Sequence, residues 1–175
     1  MSIELVRHAL NGPTMGTRWS ALFFTADGFD TAPLHQALQA AVSEVDDQMS
    51  SWKPESDLMR INRAPVRTWI DAPEQLLSVL RLGLAIGQAS GGAFDAGMGD
   101  AVTAWGFGPD AATSERIRIA LSAKRRPSWE AIEIGKGRLR KRDAITLDLN
   151  GIAKGHGVDR TADVFRSANM LGTSS

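Results

Sequence analysis

The spacing of apolar residues after Gly28 constrains the fold more than any other feature of the chain. Leu34, Leu38, Ala41, Val42, Val45 and Met49 recur every third or fourth position, which gathers them on one stripe of a helix but scatters them over both faces of a strand. That stripe needs a surface to cover it. The segment just before it has the other period: between Thr17 and Thr25, Trp19, Ala21 and Phe23 alternate with Ser20, Leu22 and Phe24, the pattern of a largely buried strand. A chain that changes period in this way lays helices on a sheet, and we expect an α+β fold with a mixed or antiparallel sheet.

Ser50, Ser51 and Pro54 end the helical run and pass the chain into a polar loop, Ser51 to Asp57. Val66 to Ile70 is a short strand candidate. Asp71-Ala72-Pro73-Glu74 reads as a helix start with a capping carboxylate and a proline in the first turn. That helix continues through Leu76, Leu77, Leu80 and Leu84 to Ala89, and Gly91-Gly92 stops it. Ala93 to Gly108 holds four glycines with Phe94, Trp105 and Phe107, the composition of a ligand-lining loop with a short helix. Ser114 to Ala123 is a further helix with Ile117, Ala120 and Leu121 on one face. Trp129 to Ile134 and Arg138 to Lys141, joined by Gly135-Lys136-Gly137, make a hairpin, and Ile145 to Leu149 is a third strand of that group. A last helix is expected from about Val158 to Ala168, and Leu171 to Ser175 carries no structural signal. The 175 residues contain no internal repeat and fit one domain.

Charge and composition close off several classes of function. Twenty basic residues balance twenty acidic ones, so no overall field favours nucleic acid or an anionic membrane. The absence of cysteine removes disulfides, thiolate metal sites, cysteine nucleophiles and lipidation at cysteine. Three histidines are a poor basis for structural zinc. Glu4, Arg7 and His8 interrupt the apolar run a secretory signal needs, and no later stretch reaches membrane-spanning length. The chain as written reads as soluble, without evident membrane contact.

Four segments could carry chemistry. In Ile145 to Gly155, a strand bearing Asp148 feeds a glycine-containing turn that opens a helix and includes Lys154. Backbone amides, a helix N-terminus and a lysine together suit a phosphate, although the same residues also make an ordinary strand-to-helix turn with a solvated lysine. In Ser90-Gly91-Gly92-Ala93-Phe94-Asp95, the aspartate could accept hydrogen bonds from a ribose or a base edge, or cap the following helix while Phe94 fills the core. Trp52, at the tip of the polar loop, could stack on a flat heterocycle or cover the edge of the core. Met15-Gly16-Thr17 is too short to indicate anything beyond packing.

In this order and with these neighbours, the segments resemble the ApbE family of FAD:protein FMN transferases. The matching stretches are Met15-Gly16-Thr17; Met49-Ser50-Ser51-Trp52 through Ser56, Asp57 and Leu58 to Asn62; Ser90 to Asp95 with Trp105-Gly106-Phe107-Gly108; and Asp148-Leu149-Asn150-Gly151-Ile152-Ala153-Lys154-Gly155 with Val158-Asp159. The resemblance implies a T-fold-like architecture, with helices packed on the sheet. It also implies that Met15, Trp52, Ala93, Phe94, Asp95, Asp148 and Lys154 contact FAD, with Lys154 and Asp148 at the chemistry, and that the main-chain oxygen of Gly151 is a ligand of magnesium. The implied reaction moves FMN from FAD to a threonine or serine of a target flavoprotein and releases AMP. His156, close to the same loop, could be proposed as a base, but the family position is more often aromatic. The family pattern continues past Ser175 with a glycine-rich segment and an aspartate-and-threonine stretch, where the resemblance places the side-chain magnesium ligands. Envelope location is a family expectation, and the chain as written leaves the compartment, like self-association, open.

Two other readings use the same residues: a magnesium-dependent FAD pyrophosphatase, with water in place of the acceptor, and a noncatalytic FAD-binding domain. A nucleic-acid surface built from Lys124-Arg125-Arg126 and the hairpin cations Lys136, Arg138, Arg140, Lys141 and Arg142 is a third. Solvated hairpin charges account for those cations better, because Trp129 is the only aromatic near them in sequence.

Overall fold

The structure is a computed structural model that describes residues 5–107 and 111–168. Gly108 and the ending from Leu171 lie outside the described residues. Along the chain the elements are β1 (Leu5–Thr14), β2 (Thr17–Ala26), α1 (Ala32–Met49), α2 (Asp57–Arg63), β3 (Ile70–Asp71), α3 (Glu74–Ala89), α4 (Gly99–Ala104), α5 (Ser114–Ser122), α6 (Ser128–Ala131), β4 (Ile132–Gly135), β5 (Arg138–Lys141) and α7 (Asn150–Ser167). Both sheets are antiparallel, so the α+β expectation holds. The chain divides into two compact units, one from the described residues up to Asp46 together with those from Lys154 onward, the other from Asp47–Ala153. None of the described helices is long and apolar enough to cross a membrane.

In the first unit, β1 and β2 form a two-stranded ribbon with Thr14 opposite Thr17. Met15 and Gly16 make the two-residue turn with φ of 43° and 67°, the left-handed pair whose twist matches that of the strands. The inward residues Trp19, Ala21 and Phe23 pack with Leu10 against Leu34, Leu38 and Val42 of α1 and Val164 and Phe165 of α7. Trp19 donates its indole N–H to Gln39 Oε1 at 2.9 Å. Opposite Trp19 stands Gly12, where a Cβ would lie 2.6 Å from the indole nitrogen. The alternation in β2 is as expected, but the strand is half buried rather than largely so: Leu22 and Phe24 are 62% and 61% exposed, because a two-stranded ribbon has only one covered face.

In the second unit, β3-β5-β4 form a three-stranded sheet, and Leu58, Ile61, Leu76, Leu77, Leu80, Leu139, Leu147 and Leu149 are fully buried. The hairpin is where its glycines put it, with Gly137 at φ 67° in the turn. Other expectations need correcting. Val66 and Arg67 form a turn, with Arg67 at φ 67°, and only Ile70 and Asp71 pair as strand. Asp71 therefore lies in β3 and does not cap α3, whose first turn follows Pro73 without a side-chain cap. Trp129 lies on the single helical turn of α6, which precedes β4. Leu121 is exposed on α5, where only Ala120 is buried.

Two corrections concern the segment expected to hold the site. Ile145 to Leu149 is extended, but it pairs as a strand only through a parallel bridge between Thr146 and Met98. The side chain of Asn62 takes the place of a neighbouring strand: Oδ1 accepts the Leu147 N–H at 2.8 Å and Nδ2 donates to the Leu147 carbonyl at 2.9 Å. The helix after it starts at Asn150, not near Val158. Gly151, Gly155 and Gly157 each weaken a helix by about 1 kcal/mol relative to alanine, which pushes a sequence reading toward a later start. The start is held instead by the Leu149 carbonyl, which accepts from Ile152 and Ala153 at 2.9 and 2.8 Å, and by the Asp148 carboxylate.

Candidate functional site

Asp148 is tied to two other segments of the second unit by hydrogen bonds. Its backbone N–H donates to the Ala96 carbonyl at 2.8 Å, which ties the segment to the loop that follows Ala93. One carboxylate oxygen accepts the Asn150 N–H at 3.0 Å and the other accepts Asn150 Nδ2 at 2.7 Å. The same Nδ2 donates to Ser51 Oγ at 3.1 Å. Asp148 is thus linked through Asn150 to the polar loop. Burial pushes its carboxyl above the ordinary carboxylate range, against the opposing pull of the two Asn150 donors.

The polar loop is a built turn that presents Trp52. Ser50 Oγ accepts the N–H groups of Trp52 and Lys53 at 3.2 and 3.3 Å. Ser56 Oγ donates to the Ser50 carbonyl at 2.7 Å and accepts the Met59 N–H at 3.1 Å, capping α2. Inside this frame the indole of Trp52 is 56% exposed. An aromatic held out by a hydrogen-bonded loop is available for stacking.

Ala93, Phe94 and Asp95 follow the left-handed glycines Gly91 and Gly92, with φ of 61° and 87°. Ala93 is exposed. The ring of Phe94 lies 3.2 Å from where a Cβ on Gly151 would stand and 3.6 Å from the same point on Gly83. Phe94 therefore packs between α3 and the first turn of α7, and Gly151 has no side chain because that ring fills the space. Asp95 accepts the Gly97 N–H at 2.7 Å and the Ser128 N–H at 3.3 Å. It fastens α6 to the loop rather than capping α4, whose N-cap is Met98. A carboxylate has about four lone-pair directions, so Asp95 keeps acceptor capacity beyond these two bonds.

In the first unit, Met15 and Lys154 line one cavity of about 290 Å³, with Thr17, Trp19, Gly157 and Thr161. The Met15 methyl lies 3.5 Å from the point where a Cβ on Gly157 would be. Met15 occupies a left-handed conformation that costs a non-glycine residue roughly 1 kcal/mol, and it places that side chain over α7. Lys154 sits on α7 itself, not in a turn, and is exposed. Nothing lies within 4 Å of a Cβ built on Gly155. His156 is held below the ordinary histidine range by burial and by Arg160, which outweigh Asp159, Asp163 and Glu44.

Asn150, Ser51 and Asn62 are the residues to which a sequence reading assigned no task. Asn150 and Asn62 stand inside the recognised stretches, but their bonds to Ser51 and Leu147 span 99 and 85 positions. No local pattern encodes such a pairing.

The chain belongs to the ApbE family, whose model matches residues 15–172. It is 32% identical over 169 residues to a Vibrio cholerae protein named FAD:protein FMN transferase, covering 92% of this chain and 49% of that one. Among solved structures, the flavin transferase ApbE from Vibrio cholerae superposes with a TM-score of 0.85 at 30% identity, over 95% of this chain and 55% of the other. The apo flavinyl transferase ApbE of Pseudomonas stutzeri does so with a TM-score of 0.80 at 28% identity, over the same shares. The chain spans about half the length of the relatives it matches.

Proposed function

We infer that this chain carries the FAD-handling part of an FAD:protein FMN transferase, which moves FMN from FAD onto a threonine or serine hydroxyl of a target protein. The observation that carries the reading is the hydrogen-bonded run from Asp148 through Asn150 to Ser51, which joins two separate stretches of the family pattern. In the reaction the acceptor oxygen bonds to the FMN phosphorus and the bond from that phosphorus to the bridging oxygen breaks. AMP leaves with the bridging oxygen, and the hydroxyl proton passes to solvent. Trp52 stacks on a ring of FAD; Met15, Ala93, Phe94 and Asp95 contact the dinucleotide. Lys154 offsets charge on the phosphoryl oxygens, and Asp148 keeps the loop and the helix start in register beside them.

Magnesium fits this segment in a limited way. Among the described residues no three histidine or acidic side chains gather as a metal site. Gly151 lies in the first turn of α7, where its carbonyl faces the N–H four residues on; a lone pair off that axis can still serve magnesium, which takes a single main-chain oxygen where phosphates and water supply the others. When bound, the ion supplies positive charge at the phosphoryl oxygens.

The test is to incubate the chain with FAD, magnesium and a threonine-bearing acceptor, with a full-length relative alongside. An FMN mass increment on the acceptor together with AMP is the expected result. AMP and free FMN without a modified acceptor would indicate hydrolysis, and FAD bound without AMP in either metal condition would indicate a binding domain. No FAD binding at all would overturn the reading.

A further inference from the structure

Arg125, Arg126, Arg140, Lys141 and Arg142, singled out in the sequence, line with Arg67 two cavities of the second unit that the flavin reading does not use. The first, of about 380 Å³, is lined by Arg125, Arg126, Lys141 and Asn62 with Gly97 and Thr146. The second, of about 460 Å³, is lined by Arg67, Arg126, Arg140 and Arg142. Arg126 belongs to both. Six cations therefore line two cavities that share Arg126, and Asp100 and Glu133 are the carboxylates closest to them, Asp100 on Arg125 at 2.7 Å and Glu133 on Arg140 and Arg142 at 2.8 and 2.9 Å. Glu130 and Asp143 reach Arg126 only at 3.5 Å and are more than half exposed.

Lys141 is 4% exposed, and its ammonium donates to the neutral Asn62 carbonyl at 2.7 Å. A buried lysine normally has a carboxylate beside it; here burial pushes its pKa down. Arg67 is held at φ 67°, an uncommon state for an arginine. Its N–H donates to the Lys141 carbonyl at 2.6 Å, which sets it next to the buried lysine. No acid faces Arg67 in the hydrogen bonds and ion pairs of the described residues. Local strain at Arg67 and a buried lysine without a carboxylate beside it, next to a cluster of guanidinium groups, together point to a missing anion.

We propose that the two adjacent cavities that share Arg126, lined by Lys141 and Arg67, form a second ligand site, separate from the FAD-contacting residues, for a small molecule carrying two linked phosphoryl groups, one in each. Lys141 and Arg67 are the two of these cations without a carboxylate partner among the described residues, and each phosphoryl group brings roughly one to two negative charges and several acceptor oxygens. The lysine lies too deep for a flat macromolecular surface. Nucleic acid is further disfavoured because the ring of Trp69 already carries the guanidinium groups of Arg138 and Arg140 at 4.6 and 4.7 Å, and stacking on bases needs a free ring.

The experiment is calorimetric titration of the 175-residue chain with inorganic pyrophosphate, in chelator and moderate salt at neutral pH, with inorganic phosphate as the weaker comparison. We expect saturable binding at one site, weakened about tenfold by Lys141→Met and by Arg126→Gln, the loss of one charge-assisted contact each. Arg67→Gly separates a ligand role from a structural one: glycine relieves the left-handed strain, so this variant melts no lower than the parent while binding about tenfold more weakly. Lys154→Ala leaves the titration unchanged, which keeps this site distinct from the flavin reading. Absence of saturable binding overturns the proposal, as does binding that survives Arg67→Gly and Arg126→Gln or that Lys154→Ala abolishes.

Discussion

Asn62 acts on three backbone or charged groups at once: the N–H and the carbonyl of Leu147 through its amide, and the Lys141 ammonium through its own carbonyl. Replacement by alanine leaves two backbone groups of a buried residue without partners, each worth about 1–3 kcal/mol. Asn62→Ala should therefore lower the unfolding free energy by roughly 2–4 kcal/mol, read as a fall in the urea midpoint; a loss within experimental error would show that water replaces the amide. His156 makes a prediction in pH. Its folded-state pKa lies below that of a free histidine, mainly through burial and then Arg160, so the unfolded chain takes up a proton first as pH falls. Stability is flat above the free-histidine pKa and declines below it, down to the folded value. His156→Gln should flatten that decline between neutral and mildly acidic pH. A wild-type melting profile without the decline would contradict the assignment.

At the scale of elements, the loop of Trp52 and the first turns of α7 make opposite predictions. Ser56 holds the loop closed with its hydroxyl and caps α2 with the same oxygen. Ser56→Ala should cost about 1–2 kcal/mol and should also weaken FAD quenching of Trp52 fluorescence, because the indole loses its frame. A destabilised variant that quenches like the parent would separate the cap from the ligand. In α7, Gly155 faces open space, so Gly155→Ala should raise stability by roughly 0.5–1 kcal/mol. If FAD approaches α7 beside Lys154, the added methyl also lowers FAD affinity, and titration of the same variant reads that directly. Unchanged affinity would place the dinucleotide away from Gly155.

For the whole molecule, a ligand that binds only the folded chain raises stability by about 2.7 kcal/mol at one hundred times its dissociation constant. For a chain of this size that corresponds to a melting shift of roughly 5–10 °C. FAD should produce such a shift and riboflavin a smaller one, since riboflavin has no phosphates for Lys154; equal shifts would remove the lysine from the account. The sequence by itself determined the long helices α1 and α3, the hairpin β4–β5 and the family, because each rests on periodicity, on glycine at left-handed turns or on short ordered motifs, all of them local. It did not disclose β1, whose Asn11-Gly12-Pro13 reads as a break until Gly12 is seen beneath Trp19. Nor did it disclose the early start of α7, where glycines that weaken a helix are tolerated because Phe94 packs on Gly151 and Met15 on Gly157. Only tertiary structure decided that Asn62 serves Leu147 as a strand would, that Asn150 reaches Ser51, and that Lys141 is buried among arginines. Each is a pairing between residues far apart in the chain, and its energy exists only once the intervening segments have folded and closed the distance.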